Sequence, residues 1–237
     1  MLTLYVNGDS HAAAAECVNP YSWAVDDAMY WGLGQRPHPD NARVSFGCEL
    51  ANHLNAILEL AAQAGGSNQR IIRTTRNWLA QQDSVADIFV VIQWSTWERQ
   101  EWFYAGEWWQ VNASGVDHVP AELQDQYREF VVGVDWTAAT HAAHDAVWKF
   151  HQELTTQNVR HLFFNGNSHF GNIQHQHNWG DSYIAPYDPA QTYTSVLKNN
   201  GFATVSPESW HFGPDAHCFW AEYLLHYINS CNLLSTQ

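Results

Sequence analysis

The chain contains few charged residues, and basic residues are the scarcest of them. Charged side chains make up 14% of its 237 residues, well below the usual quarter, and only 10 of them are Lys or Arg. The 24 acidic residues give a formal net charge of −14. A nucleic-acid-binding surface needs clustered Lys and Arg to neutralise phosphates, and anionic membranes attract basic segments. The composition therefore argues against both kinds of partner.

Closely spaced cysteines and long apolar runs are also lacking. The four cysteines are widely separated, which favours free thiols over a disulfide framework. No stretch reaches the roughly 20 apolar residues of a transmembrane helix. We expect no signal peptide, because the first predicted strand already begins at Leu2. The expected location is therefore the cytoplasm of the producing cell.

Hydrophobic residues are plentiful enough, at 46%, to build a core. Their spacing predicts strands at 2–7, 56–62 (which also fits a helix), 87–93, 159–165 and, more weakly, 202–205, and helices at 45–54, 71–81, 137–155, 192–199 and 214–229. Strands that alternate with helices predict a mostly parallel sheet covered on both faces. We therefore expect a single α/β domain over residues 1–237, a three-layer αβα sandwich on a flavodoxin-like five-stranded sheet. An irregular, aromatic insertion is expected at about 102–135.

A small, turn-forming tetrapeptide, Gly-Asp-Ser-His at 8–11, directly follows the first predicted strand. It places the Ser10 hydroxyl at the carboxyl ends of the strands, where open α/β sheets bind their ligands. A serine hydroxyl is a poor nucleophile without a base beside it. Near the other end of the chain, Glu208 lies three residues before His211, which is a candidate base with its own acid.

These blocks, taken in order, resemble the SGNH/GDSL hydrolase family. The matching features are Gly-Asp-Ser at 8–10, Gly65 after the second strand, the turn after the third strand, and an acid-x-x-His before the last helix. The likeness extends over nearly the whole chain. It is greatest to versions carried by tailed phages of aquatic bacteria, in segments 64–71, 94–99 and 211–217.

The resemblance implies a role for each of these residues. Ser10 would be the nucleophile, His211 the base that takes its proton, and Glu208 the acid that orients the imidazole. The backbone N–H groups of Ser10 and Gly65 would stabilise the oxyanion of the intermediate. The resemblance also favours Asp9, Trp94 and Arg99 as residues that orient the substrate.

The third family block departs from its pattern in this chain. Where the family has Gly-x-Asn-Asp, residues 93–96 read Gln-Trp-Ser-Thr, so Ser95 takes the place of the Asn that donates to the oxyanion. We expect the Ser95 hydroxyl to be the third donor. Losing one such donor typically lowers turnover by about 10²–10³-fold. The departure therefore affects the expected catalytic efficiency more than the expected type of reaction.

The expected function is a serine ester hydrolase that works through an acyl-enzyme, without cofactor or metal. Its expected substrate is a small-molecule or glycan ester, such as an acylated carbohydrate. The alternative is a catalytically weakened SGNH domain, kept as a structural or glycan-binding component of a phage particle. The 13 tryptophans fit a packed core or a sugar- or acyl-binding surface.

The sequence alone also allows two other functional groups of residues. Asp215 and His217 form a rival acid–histidine pair, although Asp215 also suits the first turn of the last helix. Histidines at fixed spacing offer an alternative metal site, as the helical pair His141 and His144 or as the loop residues His169, His175 and His177. The sequence around these histidines lacks a matching carboxylate or cysteine pattern.

Overall fold

The structure is a computed structural model that describes residues 1–24, 35–113 and 119–235. Its strands are β1 (Thr3–Asn7), β2 (Ile57–Leu60), β3 (Ile88–Trp94), β4 (Gln100–Tyr104), β5 (Glu107–Val111) and β6 (Arg160–Asn165). Its α-helices are α1 (Pro39–Ala42), α2 (Phe46–Leu54), α3 (Asn68–Leu79), α4 (Gln124–Gly133), α5 (Trp136–Thr156), α6 (Tyr193–Asn199) and α7 (Pro214–Ser230). None of the helices in these ranges is long and apolar enough to cross a membrane. All four cysteines are free thiols.

The central sheet has four strands in the order β2-β1-β3-β6, and all its pairs are parallel. The predicted fifth strand at 202–205 is wrong. This segment makes one isolated bridge, Thr204 with Phe212, and the Thr204 hydroxyl donates to the nearby Ser206 carbonyl. The segment turns back on itself because Gly201, at φ +85°, and Pro207 interrupt the chain on either side.

Helices cover both faces of the sheet, as the sequence predicts. Every residue of β3 is buried, which is typical of a central parallel strand. Its alternate side chains Phe89 and Val91 pack with α2, α6 and α7, whereas Val90 and Ile92 pack with α3 and α5. The result is the expected three-layer αβα sandwich, with the carboxyl ends of β1 and β3 side by side.

The region 102–135 is more regular than expected. Strands β4 and β5 form an antiparallel hairpin that places Trp102 opposite Trp109 and Phe103 opposite Trp108, and α4 follows; residues 114–118 lie outside the described part. Ala105 and Gly106 join the strands with φ angles of +51° and +89°, as a tight hairpin turn requires. The sequence hides this hairpin because aromatic side chains occupy both of its faces.

Candidate active site

The loop after β1 lies tightly against its neighbours at the rim of the sheet. A Cβ on Gly8 would lie 2.6 Å from the Ala12 Cβ and 2.8 Å from the Gln93 Oε1, so only glycine fits there. Gln93, which replaces the family's glycine, accepts the Asp9 N–H at 3.2 Å. Close packing and this hydrogen bond therefore fix the backbone that carries Ser10.

Asp9 is buried and holds the loops together. Its Oδ1 accepts the His11 N–H at 3.0 Å, and its Oδ2 accepts the Ser95 hydroxyl at 2.8 Å and the Arg99 Nη1 at 3.0 Å. Burial alone raises the pKa of Asp9, but Arg99, His11 and the Ser95 hydrogen bond together bring that pKa below its ordinary value. Asp9 is therefore an ionised residue that connects the loops at the rim, and its role in orienting the substrate stays a prediction.

Ser95, the expected third oxyanion donor, is held by hydrogen bonds to its neighbours. Its side chain is buried, and its only hydroxyl proton is donated to Asp9. The Ser95 oxygen accepts Arg99 Nη1 at 3.0 Å, and its backbone N–H donates to Asn68 at 2.8 Å. In this structure the Ser95 hydroxyl is thus bonded to the Asp9–Arg99 ion pair, and its role as the third donor stays a prediction.

The two predicted backbone donors remain available. Within residues 1–24, 35–113 and 119–235, neither the Ser10 N–H nor the Gly65 N–H makes a hydrogen bond. Gly65 has φ +79°, a conformation that favours glycine. The segment carrying Gly65 reaches the Ser10 loop, because the Gln63 N–H donates to the Gly8 carbonyl at 3.2 Å. These two N–H groups are the donors that an oxyanion could use.

The acid beside His211 is Glu16, not Glu208. The Glu16 Oε2 lies 3.0 Å from the His211 Nδ1 and accepts the Ser209 hydroxyl at 2.7 Å. Glu208 is exposed and makes no hydrogen bond or ion pair with the described residues. A turn closed by the Ser209 N–H on the Ser206 carbonyl, at 3.2 Å, directs Glu208 to solvent.

Glu16 is held as a carboxylate in a strained backbone. Partial burial raises the pKa of Glu16, but the hydrogen bonds from His211 and Ser209 bring it below its ordinary value. Its φ is +61°, and Ala14 has φ +51°, so the segment 10–16 is a series of turns instead of the helix that an Ala-rich run suggests. Non-glycine residues in this region concentrate at functional sites.

Residues from both ends of the chain lie near each other at this point: the rings of His11 and His211 are 5.4 Å apart, nearly perpendicular at 66°. The hydroxyl of Ser10, a residue that is 8% exposed, makes no hydrogen bond to any described residue, His211 included. The predicted pairing of Ser10 with His211 therefore stays a prediction. Burial lowers the pKa of His11 to about 4, and its Nε2 contacts the Asn167 amide at 3.1 Å. His11 is therefore an uncharged side chain packed beside His211.

Trp94 belongs to the core and is not exposed at the rim, and its contact with substrate stays a prediction. It is fully buried, and its ring packs edge-on against Phe163 at 5.0 Å and Phe150 at 6.2 Å. The alternation along β3 turns this side chain toward α5 and away from the rim.

A cavity of about 640 Å³ is lined by Asn68 and Arg99, whereas Ser10, Glu16 and His211 are not among its lining residues. Its aromatic lining residues are Trp97, Trp102 and Phe130, and alanines of α5 leave space opposite them. Arg99, whose side chain is 20% exposed, connects this cavity to Asp9. Arg99 thus lies where a substrate-orienting role requires it, and that role stays a prediction.

The rival pair, Asp215 and His217, does not form. The His217 Nδ1 accepts the Phe46 N–H at 3.1 Å, and burial lowers the pKa of His217 to about 3. Asp215 is exposed in the first turn of α7, where a negative charge suits the helix dipole. His217 is therefore a structural residue that completes the start of α2.

Comparison with known proteins gives no match in sequence and low similarity in structure. No family model and no curated protein matches the chain. A G-D-S-L family protein from Desulfitobacterium hafniense DCB-2 is 10% identical, covers 96% of this chain and 99% of its own, and has a TM-score of 0.46. The psychrotrophic esterase EstA from Pseudoalteromonas sp. is 10% identical, with coverages of 97% and 98% and a TM-score of 0.44. A carbohydrate esterase family 2 enzyme with a carbohydrate binding domain, from Corynascus thermopiles, is 15% identical, with coverages of 98% and 66% and a TM-score of 0.49.

These three TM-scores lie below 0.5, so what the site can do rests on its own side chains. None of the three is a phage protein, and nothing supports the expected likeness to phage-encoded versions.

Proposed function

We propose that the protein is a serine ester hydrolase in which Ser10, His211 and Glu16 act together. The observation that carries the proposal is the 3.0 Å contact between Glu16 and His211, residues 195 positions apart, beside the loop that bears Ser10. An acid that holds one ring nitrogen leaves the other to act as a base, which is the arrangement that activates a serine hydroxyl.

In the proposed reaction, the Ser10 Oγ attacks the ester carbonyl while the His211 Nε2 takes the hydroxyl proton. The negative oxygen of the tetrahedral intermediate accepts the N–H groups of Ser10 and Gly65. The intermediate collapses to an acyl-enzyme, and His211 returns the proton to the leaving alcohol. Water then attacks the acyl-enzyme by the same steps and frees the acid. The Ser10 hydroxyl turns toward His211 as substrate enters, since catalytic hydrogen bonds often tighten only in the complex.

The cavity beside Arg99 supports a glycan ester as substrate. Indole faces such as those of Trp97 and Trp102 are broad apolar platforms for a sugar ring. Gln126 and Glu129 supply polar groups for hydroxyls in the same cavity. We propose that the carbohydrate part of the substrate enters from this side, with its acyl group at Ser10.

A second candidate function is a catalytically weakened domain that binds glycans as part of a larger particle, such as a virion. The observation that favours it is the commitment of the Ser95 hydroxyl to Asp9, which leaves two backbone donors for the oxyanion. Each missing donor typically lowers turnover by about 10²–10³.

A fluorophosphonate probe separates the two functions. We expect stoichiometric labelling of the wild-type protein at Ser10, identified by peptide mass spectrometry, and no labelling of Ser10→Ala. The probe reports on an activated serine regardless of the natural substrate. Glycan binding by an unlabelled wild-type protein would instead favour the second function.

Paired variants distinguish the two candidate acids. Glu16→Gln is expected to lower kcat toward p-nitrophenyl acetate by about 10²–10⁴-fold, because the amide no longer fixes and stabilises the imidazolium. Glu208→Gln, a solvent-exposed control with the same chemical change, is expected to leave kcat within about twofold. Equal losses in both variants would contradict the assignment of Glu16.

A further inference from the structure

A second cluster of titratable side chains lies where α5 meets the loop that follows β6, and it shares no residue with the proposed hydrolytic site. Helix α5 and the loop that follows β6 enclose a cavity of about 490 Å³. Its titratable lining residues are His141, His144, Asp145, His175 and His177. The fold therefore unites histidines from both groupings that are separate in the sequence, and it adds the carboxylate that the sequence pattern lacked.

We propose that His144, Asp145 and His177 form a binding site for a divalent transition-metal ion of the zinc class. One donor atom from each of these three residues lies within 4.8 Å of the other two. His144 and Asp145 are neighbours on one side of α5, whereas His177 comes from the loop. None of the three belongs to the proposed hydrolytic site.

Two of the three ligands have their donor atoms free. In the part of the chain that the structure describes, neither the Asp145 carboxylate nor a ring nitrogen of His177 has a hydrogen-bond partner. Asp145 is exposed and His177 half-buried, so both side chains can move the short distance that zinc ligation at about 2.0–2.2 Å requires. Free donors at a half-open cavity are what an entering ion needs.

The third ligand, His144, is held in place by its surroundings. Its Nε2 lies 3.0 Å from the Tyr187 hydroxyl, and the same oxygen accepts the His177 backbone N–H at 2.7 Å and the Trp179 Nε1 at 2.9 Å. The rings of His144 and His177 stack 4.7 Å apart at 8°. The Tyr187 hydroxyl oxygen thus contacts both His144 on the helix and the backbone of His177 on the loop. It holds these two residues in position before any ion binds.

The donor set favours a transition metal over calcium or magnesium. Two imidazole nitrogens with one carboxylate suit zinc, nickel and copper, whereas the hard cations prefer oxygen ligands. His141, one helical turn before His144, and His175, two residues before His177, line the same cavity. Neither has a donor atom close enough to belong to the three-residue cluster, so a fourth ligand would be water or a moved side chain.

The consequence of ion binding would be a cross-link between α5 and the long connection from β6 to α6. This connection begins beside the proposed active site, where the Asn167 amide contacts His11 at 3.1 Å. An ion at His144 and His177 would therefore fix the far end of a loop whose near end touches the loop of Ser10.

Calorimetric titration of the chelator-treated full chain with Zn²⁺ tests the proposal. We expect one ion per chain in the wild type. His177→Phe, which keeps an aromatic ring in the stack but removes both nitrogens, and Asp145→Asn should each weaken binding by at least about 100-fold, because a ligand is lost where even an outer-shell change costs 10–100-fold. His53→Phe, the same change at an exposed histidine on α2, should bind as the wild type does.

Two results would overturn the proposal: no zinc binding by the wild type, or undiminished binding by the Asp145→Asn/His177→Phe double variant. Circular dichroism of each variant checks that it is folded. Ser10→Ala should bind zinc with unchanged affinity, so a failed zinc site and a failed hydrolytic site give different results.

Discussion

Replacing Ser10 with alanine is expected to lower kcat toward p-nitrophenyl acetate by about 10³–10⁶-fold, the largest effect we predict for any single substitution. The loss follows from the proposed chemistry, because the other serine hydroxyls near the site are held by carboxylates. The Ser209 hydroxyl donates to Glu16 at 2.7 Å, and the buried Ser95 hydroxyl donates to Asp9 at 2.8 Å. Steady-state kinetics with the variant and the wild type at equal concentration measure the effect.

The same variant is expected to fold normally, since the Ser10 hydroxyl makes no hydrogen bond within the described ranges. Ser230→Ala is a matched control, because it removes an exposed serine hydroxyl at the end of α7, remote from the rim. Retention by Ser10→Ala of more than a tenth of the wild-type kcat would exclude Ser10 as the nucleophile.

Acidification from pH 7.5 to pH 5 is expected to lower the free energy of unfolding by roughly 6 kcal/mol. Burial lowers the pKa of three histidines in the folded chain, to about 4 for His11 and His161 and about 3 for His217. In the unfolded chain each has a pKa of about 6.5 and gains a proton as the pH falls through that value. Their stabilising effect is therefore full above about pH 6.5 and is lost below it, at roughly 2 kcal/mol each by pH 5.

This loss is comparable with the whole stability of a typical domain, about 5–15 kcal/mol. Urea unfolding at pH 7.5, 6 and 5 measures it. Asp9 and Glu16 do not mask the effect: the pKa of each is lowered on folding, so their contribution is lost only below about pH 4, the range of unfolded carboxyl groups.

A matched pair of variants tests the histidine origin of the acid sensitivity. His217→Gln, which keeps an acceptor for the Phe46 N–H, should reduce the pH dependence by about one third, whereas His53→Gln on the exposed face of α2 should leave it unchanged. An unfolding free energy that is the same at pH 7.5 and pH 5 would contradict the prediction.

The layers of the fold were predictable because their patterns are local. The apolar runs of β1 and β3 and the periodicity of α2 and α5 identify these elements within a few residues of their ends. The weak segment 202–205 was mistaken for a strand because pairing partners cannot be read from a short apolar run. The β4–β5 hairpin was missed because its aromatic residues mask the alternation of a strand.

The site was predictable only in part, for a physical reason. Ser10, Gly65 and His211 were found from the family resemblance and from their places at the ends of predicted elements, and their roles stay predictions. Glu16 could not be found in this way, because its place beside His211 depends on a left-handed backbone conformation in a run of alanines. The hydrogen bond from Ser95 to Asp9 was equally hidden, since the sequence does not show that Arg99 and Asp9 pair across the same rim.

Ser10 and Glu16 lie on one short segment, in which the Ala15 N–H donates to the Ser10 carbonyl at 2.9 Å. The separation of the proposed nucleophile and the proposed acid is therefore set locally, and only His211 comes from the distant end of the polypeptide. Any shift of the turn at 209–211 would therefore change the distance from His211 to Ser10 and the distance from His211 to Glu16 together. If the proposed triad is correct, a displaced imidazole would leave the Ser10 hydroxyl without its base and the Glu16 carboxylate without its partner at the same time.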